Sequence, residues 1–339
     1  MSNKLAPNDS RVKYETAQIR GKTYSYILGE PSGEPISTVV LVHGWPDIAF
    51  GWRCQVPYLM KLGFRVVVPN MLGYAGTDAP QALEEYSLKS LSADIAELSK
   101  KFVGEKGQII LGGHDWGGAL VWRVALWHPE LIKGVFSVCT PYNAPSKQHY
   151  RLEDIVATKV PNFTYQLHLR GPDVEEGIQG EEKIRQFLNG MYGGIGPNGE
   201  LAFKVTEGVQ LDNLHKLGPA KLLSKEELDH YVQQYMLRPE RQLRGPLNWY
   251  RTREINFEEE LPLAEKGVKL EMPALFVTAT KDAALPPWMS AGMEDHFKQL
   301  SRAEVDSSHW ALTQAGDAVN EHIGKWIDGV LGGAIKSSL

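Results

Sequence analysis

The sequence of 339 residues carries a formal net charge of −5, and 42% of its residues are hydrophobic. A chain of this length and composition can bury a large core and still form an additional lobe. The charge is spread over both halves with no stripe of basic residues, which excludes nucleic acid as an expected partner.

The number of cysteines and the length of the apolar runs indicate in which cellular compartment the protein is expected. Cys54 and Cys139 are too few for a disulfide framework, and Cys139 lies in an apolar run typical of a small core residue. Residues 1–9 lack the apolar segment of a secretory signal, and no apolar run approaches the roughly 20 residues that span a bilayer. We therefore expect a cytoplasmic protein without a membrane span. Residues 337–339, Ser-Ser-Leu, are only a poor match to a peroxisomal address.

The first hundred residues predict strands followed by a helix. Residues 11–29 alternate apolar and polar positions and predict two strands around a turn at Gly21-Lys22. Residues 38–42 and 64–68 are short apolar runs, typical of strands buried on both faces. Apolar residues at helical spacing then predict an amphipathic helix over residues 87–102.

The alternation of strands and helices continues to about residue 140. Residues 108–111 predict a strand, residues 119–126 a helix that ends before Pro129, and residues 134–139 another buried strand. This order of elements is the pattern of a mostly parallel sheet with helices on both faces. We therefore predict the α/β fold class.

The pattern changes between about residue 140 and residue 260. Helices broken by Pro and Gly replace the strand runs, and one of them begins with a capping box of Ser224 and Glu227. We interpret this stretch as a helical cap inserted between two strands of the sheet. It is called the cap segment below and is predicted to comprise residues 143–260.

The sheet resumes after the cap segment. Residues 274–279 predict a buried strand, residues 303–305 a further strand, and residues 319–330 a closing helix. The predicted sheet domain therefore consists of residues 1–142 and 261–339.

The turn at residues 113–118, Gly-His-Asp-Trp-Gly-Gly, lies between a predicted strand and a predicted helix. Small residues on either side of Asp115 allow the backbone to make a sharp turn. This is the nucleophile-elbow pattern, with Asp115 where a serine hydrolase carries its Ser. A carboxylate at a helix N-terminus stays ionised and can attack carbon. Taken alone, the motif leaves one alternative open, an ordinary strand-to-helix turn that Asp115 caps.

Three further stretches follow predicted strands: residues 43–46, Asp282 and His309. Because the carboxyl ends of parallel strands meet at one edge, where ligands bind, we expect these residues to lie beside Asp115. The chain order of nucleophile, acid and histidine is that of α/β-hydrolases, which predicts catalytic roles for Asp282 and His309. The alternatives are a structural histidine and two plain turns.

Together these residues resemble the soluble epoxide hydrolases of the α/β-hydrolase fold. The similarity extends over nearly the whole chain and includes two cap stretches that resemble the ring-opening tyrosine motifs of the family. One departure is Ser308, since Gly before the histidine is commoner, but it removes no functional group. The matching motifs are His-Gly-Trp-Pro at 43–46, Gly-His-Asp-Trp-Gly-Gly at 113–118, Phe-Thr-Tyr-Gln at 163–166, Asn-Trp-Tyr-Arg at 248–251, Asp282 and His309-Trp310.

The resemblance implies a first step of covalent catalysis. Asp115 attacks an epoxide carbon and forms an alkyl ester. The leaving oxygen is a strong base, and Tyr165 and Tyr250 can donate to it because unperturbed phenols are protonated at neutral pH. Periodicity alone does not select these two among the cap tyrosines, which are Tyr150, Tyr165, Tyr192, Tyr231, Tyr235 and Tyr250.

The resemblance also implies the second step. His309, oriented by Asp282, activates the water that hydrolyses the ester. The backbone N–H groups of Trp45 and Trp116 are the candidate oxyanion hole. Family members have a cis bond before the proline of the 43–46 motif. Substrate contacts are expected from the side chains of Trp116, Pro46, Tyr165 and Tyr250.

The predicted reaction converts a lipophilic epoxide to a vicinal diol, with no cofactor and no metal, in a monomer or homodimer. A haloalkane dehalogenase also uses Asp at the elbow but needs no paired phenols, because a halide leaves without a proton. An esterase would have to pass through an anhydride, and a catalytically silent binding protein should have lost a catalytic group. A detoxifying and a biosynthetic role both remain open.

Overall fold

The computed structural model describes residues 3–238 and 240–335, so the Ser-Ser-Leu stretch at 337–339 lies outside the described residues. Most of its strands form one central sheet. In chain order the strands are β1 (Val12–Ile19), β2 (Lys22–Gly29), β3 (Ser37–Val42), β4 (Phe64–Pro69), β5 (Ile109–His114), β6 (Ile132–Val138), β7 (Phe203–Lys204), β8 (Gly208–Val209), β9 (Ala274–Ala279) and β10 (Leu300–Val305).

The central sheet has eight strands in the order β1-β2-β4-β3-β5-β6-β9-β10. The pairs β1–β2 and β2–β4 are antiparallel, and the other pairs are parallel, which confirms the predicted fold class. Every residue of β5 and β9 is buried, as expected of strands covered on both faces. The strand predicted at 303–305 is the end of the longer β10.

Helices cover both faces of the sheet and are the main regular elements of the cap segment. The sequence pattern did not predict α1, a short helix that contains Pro57. The helices are α1 (Gln55–Lys61), α2 (Leu88–Val103), α3 (Trp116–Trp127), α4 (Leu152–Thr158), α5 (Thr164–Leu169), α6 (Asp173–Gly177), α7 (Gly180–Met191), α8 (Lys225–Tyr235), α9 (Arg244–Asn248), α10 (Arg253–Lys266), α11 (Ala311–Gln314) and α12 (Gly316–Val330).

The helix α2 shows how local chemistry sets the bounds of an element. The side chain of Ser87 accepts the N–H of Ser90 at the first turn, and the helix ends at Gly104, which has a φ of 72°. Its buried face packs against α3, as the helical spacing of its apolar residues predicts. Within residues 3–238 and 240–335, no helix combines the length and apolar character needed to cross a bilayer.

The cap segment contains one feature that the sequence did not predict. The strands β7 and β8 pair as a small antiparallel hairpin, and strands of two residues are too short to produce a periodic pattern. The capping box of Ser224 and Glu227 is confirmed at the start of α8. At its C-terminal end the segment has no break, because α10 runs through the boundary predicted between residues 260 and 261. The division into two domains stays a prediction.

A buried ion pair connects the cap segment to the sheet domain. Arg53 donates from Nε to Glu227 at 2.9 Å, and the two side chains are 0% and 4% exposed. Lys4 reaches the same carboxylate oxygen from the start of the chain, at 2.7 Å. Because ions in a dry environment lose their hydration, each depends on the other for compensation.

We expect Arg53→Met to destabilise the protein by about 3 kcal/mol, because it leaves the buried Glu227 carboxylate with the half-exposed Lys4 as its one charged partner among the described residues. The measurement is urea unfolding at neutral pH. The matched control is Arg65→Met, which breaks the more exposed pair with Glu30 and should cost about 1 kcal/mol or less. Equal losses in the two variants would contradict the argument from burial.

Candidate active site

Asp115 lies on a sharp turn between β5 and α3. Its φ of 53° and ψ of −125° fall outside the regions that non-glycine residues prefer, and Thr140 Oγ1 donates to its carbonyl oxygen at 2.7 Å. A Cβ on Gly117 would lie 2.1 Å from the carbonyl oxygen of Val42, so this position must be glycine. The elbow expected from the small residues of the 113–118 motif is therefore present.

The two carboxylate oxygens of Asp115 have different partners. Oδ1 accepts the backbone N–H of Trp45 at 2.7 Å, and Oδ2 lies 3.3 Å from Nε2 of His309. Burial would raise the pKa of Asp115, but the hydrogen bond and charge of His309, aided by the N–H of Trp116, outweigh burial and lower the pKa. The carboxylate of Asp115 is thus held as an anion at the carboxyl end of β5.

Asp282 and His309 complete a chain of charges. Nδ1 of His309 lies 2.7 Å from Oδ2 of Asp282, whose other oxygen accepts the N–H groups of Ala284 and Leu285 at 2.8 and 2.9 Å. These bonds, and above all the charge of His309, outweigh burial and lower the pKa of Asp282. Burial would lower the pKa of His309, but Asp282 and Asp115 together raise it well above its usual range.

The loop of residues 43–48 presents the N–H of Trp45 to the nucleophile. The Trp45–Pro46 bond is cis, as the resemblance implied. Gly44 lies so close to Asp115 that a Cβ there would be 2.3 Å from its Oδ1. The ring of His43 holds the loop, since Nδ1 lies 2.9 Å from the carbonyl oxygen of Gly44 and Nε2 accepts the N–H of Met71 at 2.9 Å.

Three tyrosines of the cap segment hold the same loop from the other side. The hydroxyls of Tyr192 and Tyr231 donate to Oδ1 of the buried Asp47 at 3.0 and 2.6 Å. Tyr235 donates to the carbonyl oxygen of Pro46 at 2.7 Å. Periodicity did not select these tyrosines, and Asp47 was not among the predicted site residues. No sequence signal joins residues so far apart in the chain.

Tyr165 and Tyr250 lie together within the cap segment. Tyr165 lies in the first turn of α5, and Tyr250 follows the end of α9. The centroids of their rings are 6.2 Å apart, and the ring planes meet at 77°. Both side chains are buried, and burial together with nearby charges, including that of Asp115, raises the pKa of each phenol. They therefore remain protonated hydrogen-bond donors at neutral pH. The ring of Trp116 packs edge-on against Tyr250, at 5.2 Å.

A cavity of about 540 Å³ connects these groups to the surface, within the usual size range of small-ligand sites. Asp115, Trp116, Tyr165 and Tyr250 all line it. Pro46 is buried and, among the described residues, is not part of the lining, so its predicted contact with substrate stays a prediction. Other aromatic lining residues are Trp122, Tyr142, Tyr150, Phe163, Trp249, Phe257 and Trp288.

One contact within the elbow motif went unrecognised in the sequence. The ring nitrogen Nε2 of His114 lies 2.8 Å from the carbonyl oxygen of His309, and the two rings are 4.9 Å apart. The residue before the nucleophile therefore holds the backbone of the catalytic histidine. Its position in the 113–118 motif was the available signal, but only the fold shows the partner.

His114, Cys139 and His309 are the one group of potential metal ligands found among the described residues, with ligand atoms within 4.8 Å of one another. Both ring nitrogens of His309 already face carboxylates. Burial raises the pKa of the Cys139 thiol, which opposes the thiolate form that binds metals. Packing around His309 therefore explains why these three side chains lie close together.

We expect the His309 imidazolium to persist as the pH rises through its usual pKa of 6.5, because a raised pKa delays loss of the proton. Proton and nitrogen NMR of ring-labelled histidine would measure this titration. Asp282→Asn removes one carboxylate and should move the titration to lower pH. His230 is an internal control, since burial lowers its pKa and it should lose its proton first. A His309 titration near 6.5 in the unmodified protein would contradict the charge arrangement.

Comparisons with known proteins point to the α/β hydrolase fold and to epoxide hydrolases. Residues 37–184 match the family model of the α/β hydrolase fold. Epoxide hydrolase srdG of Neurospora crassa is 43% identical over 338 residues, covering 95% of this chain and 97% of that protein. Bifunctional epoxide hydrolase 2 of Rattus norvegicus is 34% identical over 328 residues, which cover 95% of this chain and 56% of that protein.

A solved structure shows the same fold. The crystal structure of an epoxide hydrolase from Vigna radiata aligns with a TM-score of 0.77 at 23% identity, covering 94% of this chain and 98% of that one. At this identity the likeness concerns the fold, including the mostly parallel sheet.

Proposed function

The chain belongs to the epoxide hydrolases of the α/β-hydrolase fold, and we propose that it converts a lipophilic epoxide to a vicinal diol through a covalent ester on Asp115. One observation carries the proposal: the ionised carboxylate of Asp115 and the protonated phenols of Tyr165 and Tyr250 line the same cavity. A nucleophile and two acids thus face a single small molecule.

In the first step Asp115 attacks an epoxide carbon. A bond forms between a carboxylate oxygen and that carbon while the ring C–O bond breaks. The departing oxygen would be an alkoxide, which is a stronger base than a phenolate and takes a proton from Tyr165 or Tyr250. The lowered pKa of Asp115 keeps the nucleophile ionised without a separate base.

Formation of the ester changes the charge around His309. The imidazolium is stabilised by two carboxylates, and the ester removes the charge of Asp115. The pKa of His309 must then fall, so its proton can return to the phenolate. The neutral imidazole, still oriented by Asp282, becomes the general base of the second step.

In the second step His309 takes a proton from water, and the hydroxide adds to the ester carbonyl carbon of Asp115. The N–H groups of Trp45 and Trp116 stabilise the oxyanion in this proposal, since Trp45 donates to Oδ1 of Asp115 and the N–H of Trp116 helps to lower the pKa of that carboxylate. The tetrahedral intermediate expels the diol oxygen, which takes the proton of the new carboxyl group. Asp115 returns as carboxylate and His309 as imidazolium.

The lining of the cavity supports a lipophilic substrate. Trp116, Phe163 and Trp249 present ring surfaces beside Asp115, and such surfaces bind apolar groups better than water does. Styrene, stilbene and fatty-acid epoxides form a suitable first panel of substrates.

We expect His309→Gln to form the ester but to hydrolyse it at least a hundredfold more slowly, because a general base contributes about 10²–10⁴-fold. Intact-protein mass spectrometry should show an increase by one substrate, and peptide mapping should place it on Asp115. Asp115→Asn is the control and should gain no mass. Normal turnover by His309→Gln would refute the assigned base.

Replacing Tyr165 and Tyr250 together by Phe should slow ring opening by roughly 10²–10⁴-fold, since no acid then meets the leaving oxygen. Pre-steady-state ester formation is the appropriate measurement. The matched control is Tyr150→Phe, which changes a tyrosine at the exposed rim of the same cavity. Full activity in the double variant would assign the acid to another residue.

A further inference from the structure

The rim of the cavity carries positive charge that the proposed reaction does not use. Lys159, Arg170 and Arg253 all line the cavity that contains Asp115. Arg170 forms an ion pair with Glu153. In contrast, no carboxylate within residues 3–238 and 240–335 lies within ion-pair distance of Lys159 or Arg253.

Lys159 and Arg253 come from different elements and meet at one residue, Tyr150. Nζ of Lys159 lies 4.8 Å from the centroid of the Tyr150 ring. Nε of Arg253 donates to the carbonyl oxygen of Tyr150 at 3.0 Å. That bond uses one donor of the guanidinium, so the terminal amino groups of Arg253 are available to a ligand.

The surroundings make these two cations electrostatically uncompensated. Burial, followed by the neighbouring charge of Arg170, lowers the pKa of Arg253. The charge of Glu153 acts against this shift, but its carboxylate is shared between Arg170 and Arg151, the latter at 3.8 Å. This stretch of rim is therefore positive although the whole chain carries a net charge of −5.

We propose that Lys159 and Arg253 form a binding site for an anionic group, such as a carboxylate, that the epoxide substrate carries at the end remote from its ring. The inference rests on the proposed function, since it concerns the same cavity. When the epoxide ring lies between Asp115 and the phenols, an extended substrate reaches to the mouth of the cavity. Its other end then lies beside the two cations. A guanidinium beside an ammonium suits the oxygens of such a group.

The test compares two substrates that differ only in charge: an aryl epoxide with a remote carboxylate and its primary amide. We expect KM for the acid to be about three- to tenfold lower than KM for the amide, with similar kcat, as for pairs that remain partly exposed. Raising the salt concentration to 1 M should reduce the difference, because screening weakens exposed charge pairs.

The double variant Lys159→Gln/Arg253→Gln should lose the preference for the acid while turning over the amide as before. Lys133→Gln is the matched control. It removes the charge of an exposed lysine at the amino-terminal end of β6, whereas the site lies at the carboxyl ends of the strands. Equal KM values for the acid and the amide, or an unchanged preference in the double variant, would overturn the rim site.

Binding separates this proposal from the proposed function. Titration calorimetry of Asp115→Asn with the acid and the amide measures the charge preference without turnover. If the unmodified enzyme is inactive but Asp115→Asn binds the acid more tightly than the amide, the proposed reaction is overturned and the rim site is supported.

Sedimentation with phosphatidylserine vesicles tests the other source of anions. One outcome assigns the cations to lipid headgroups and overturns the proposal: the protein binds these vesicles, the double variant does not, and neither prefers the acid to the amide.

Discussion

The active site depends on one imidazole placed between two carboxylates. Asp282 is fully buried and Asp115 nearly so, and each would be costly to ionise alone in such an environment. A charged His309 between them lowers the pKa of both and has its own pKa raised in return. The backbone N–H groups of Ala284 and Leu285 then fix the acid that orients the ring. The proposed reaction uses this arrangement twice: it keeps Asp115 ionised for attack, and it releases His309 as a base once Asp115 is esterified.

The cap segment holds a loop of the sheet domain in addition to carrying the two phenols of the proposed reaction. Tyr192 and Tyr231 hold Asp47, and Tyr235 holds the carbonyl group of Pro46. These bonds fix the loop whose N–H at Trp45 contacts the nucleophile. The position of the Trp45 N–H, which we propose as part of an oxyanion hole, therefore depends both on the sheet domain and on helices inserted far along the chain.

Local chemistry explains why much of the fold and the site is predictable from sequence. Buried strands such as β5 and β9 are continuous apolar runs, and α2 and α8 carry their own caps. The Asp115 elbow is likewise a local pattern, because its strand, small residues and helix are consecutive. The features that went unpredicted have short or distant determinants, namely the two-residue strands β7 and β8, the helix α1, and the partner of Asp47.

The sequence by itself determined the α/β class and indicated the cis bond that the family resemblance implied before Pro46. It also predicted Asp115, Asp282 and His309 as nucleophile, acid and base. Each depends on residues close together in the chain or on the order of strands. Only the tertiary structure decided how His114 meets the backbone of His309, which tyrosines face the cavity and which hold the loop, and that Lys159 and Arg253 meet at Tyr150. The reason is physical: these relations arise where side chains from separate elements converge, and no periodicity along the chain records such convergence.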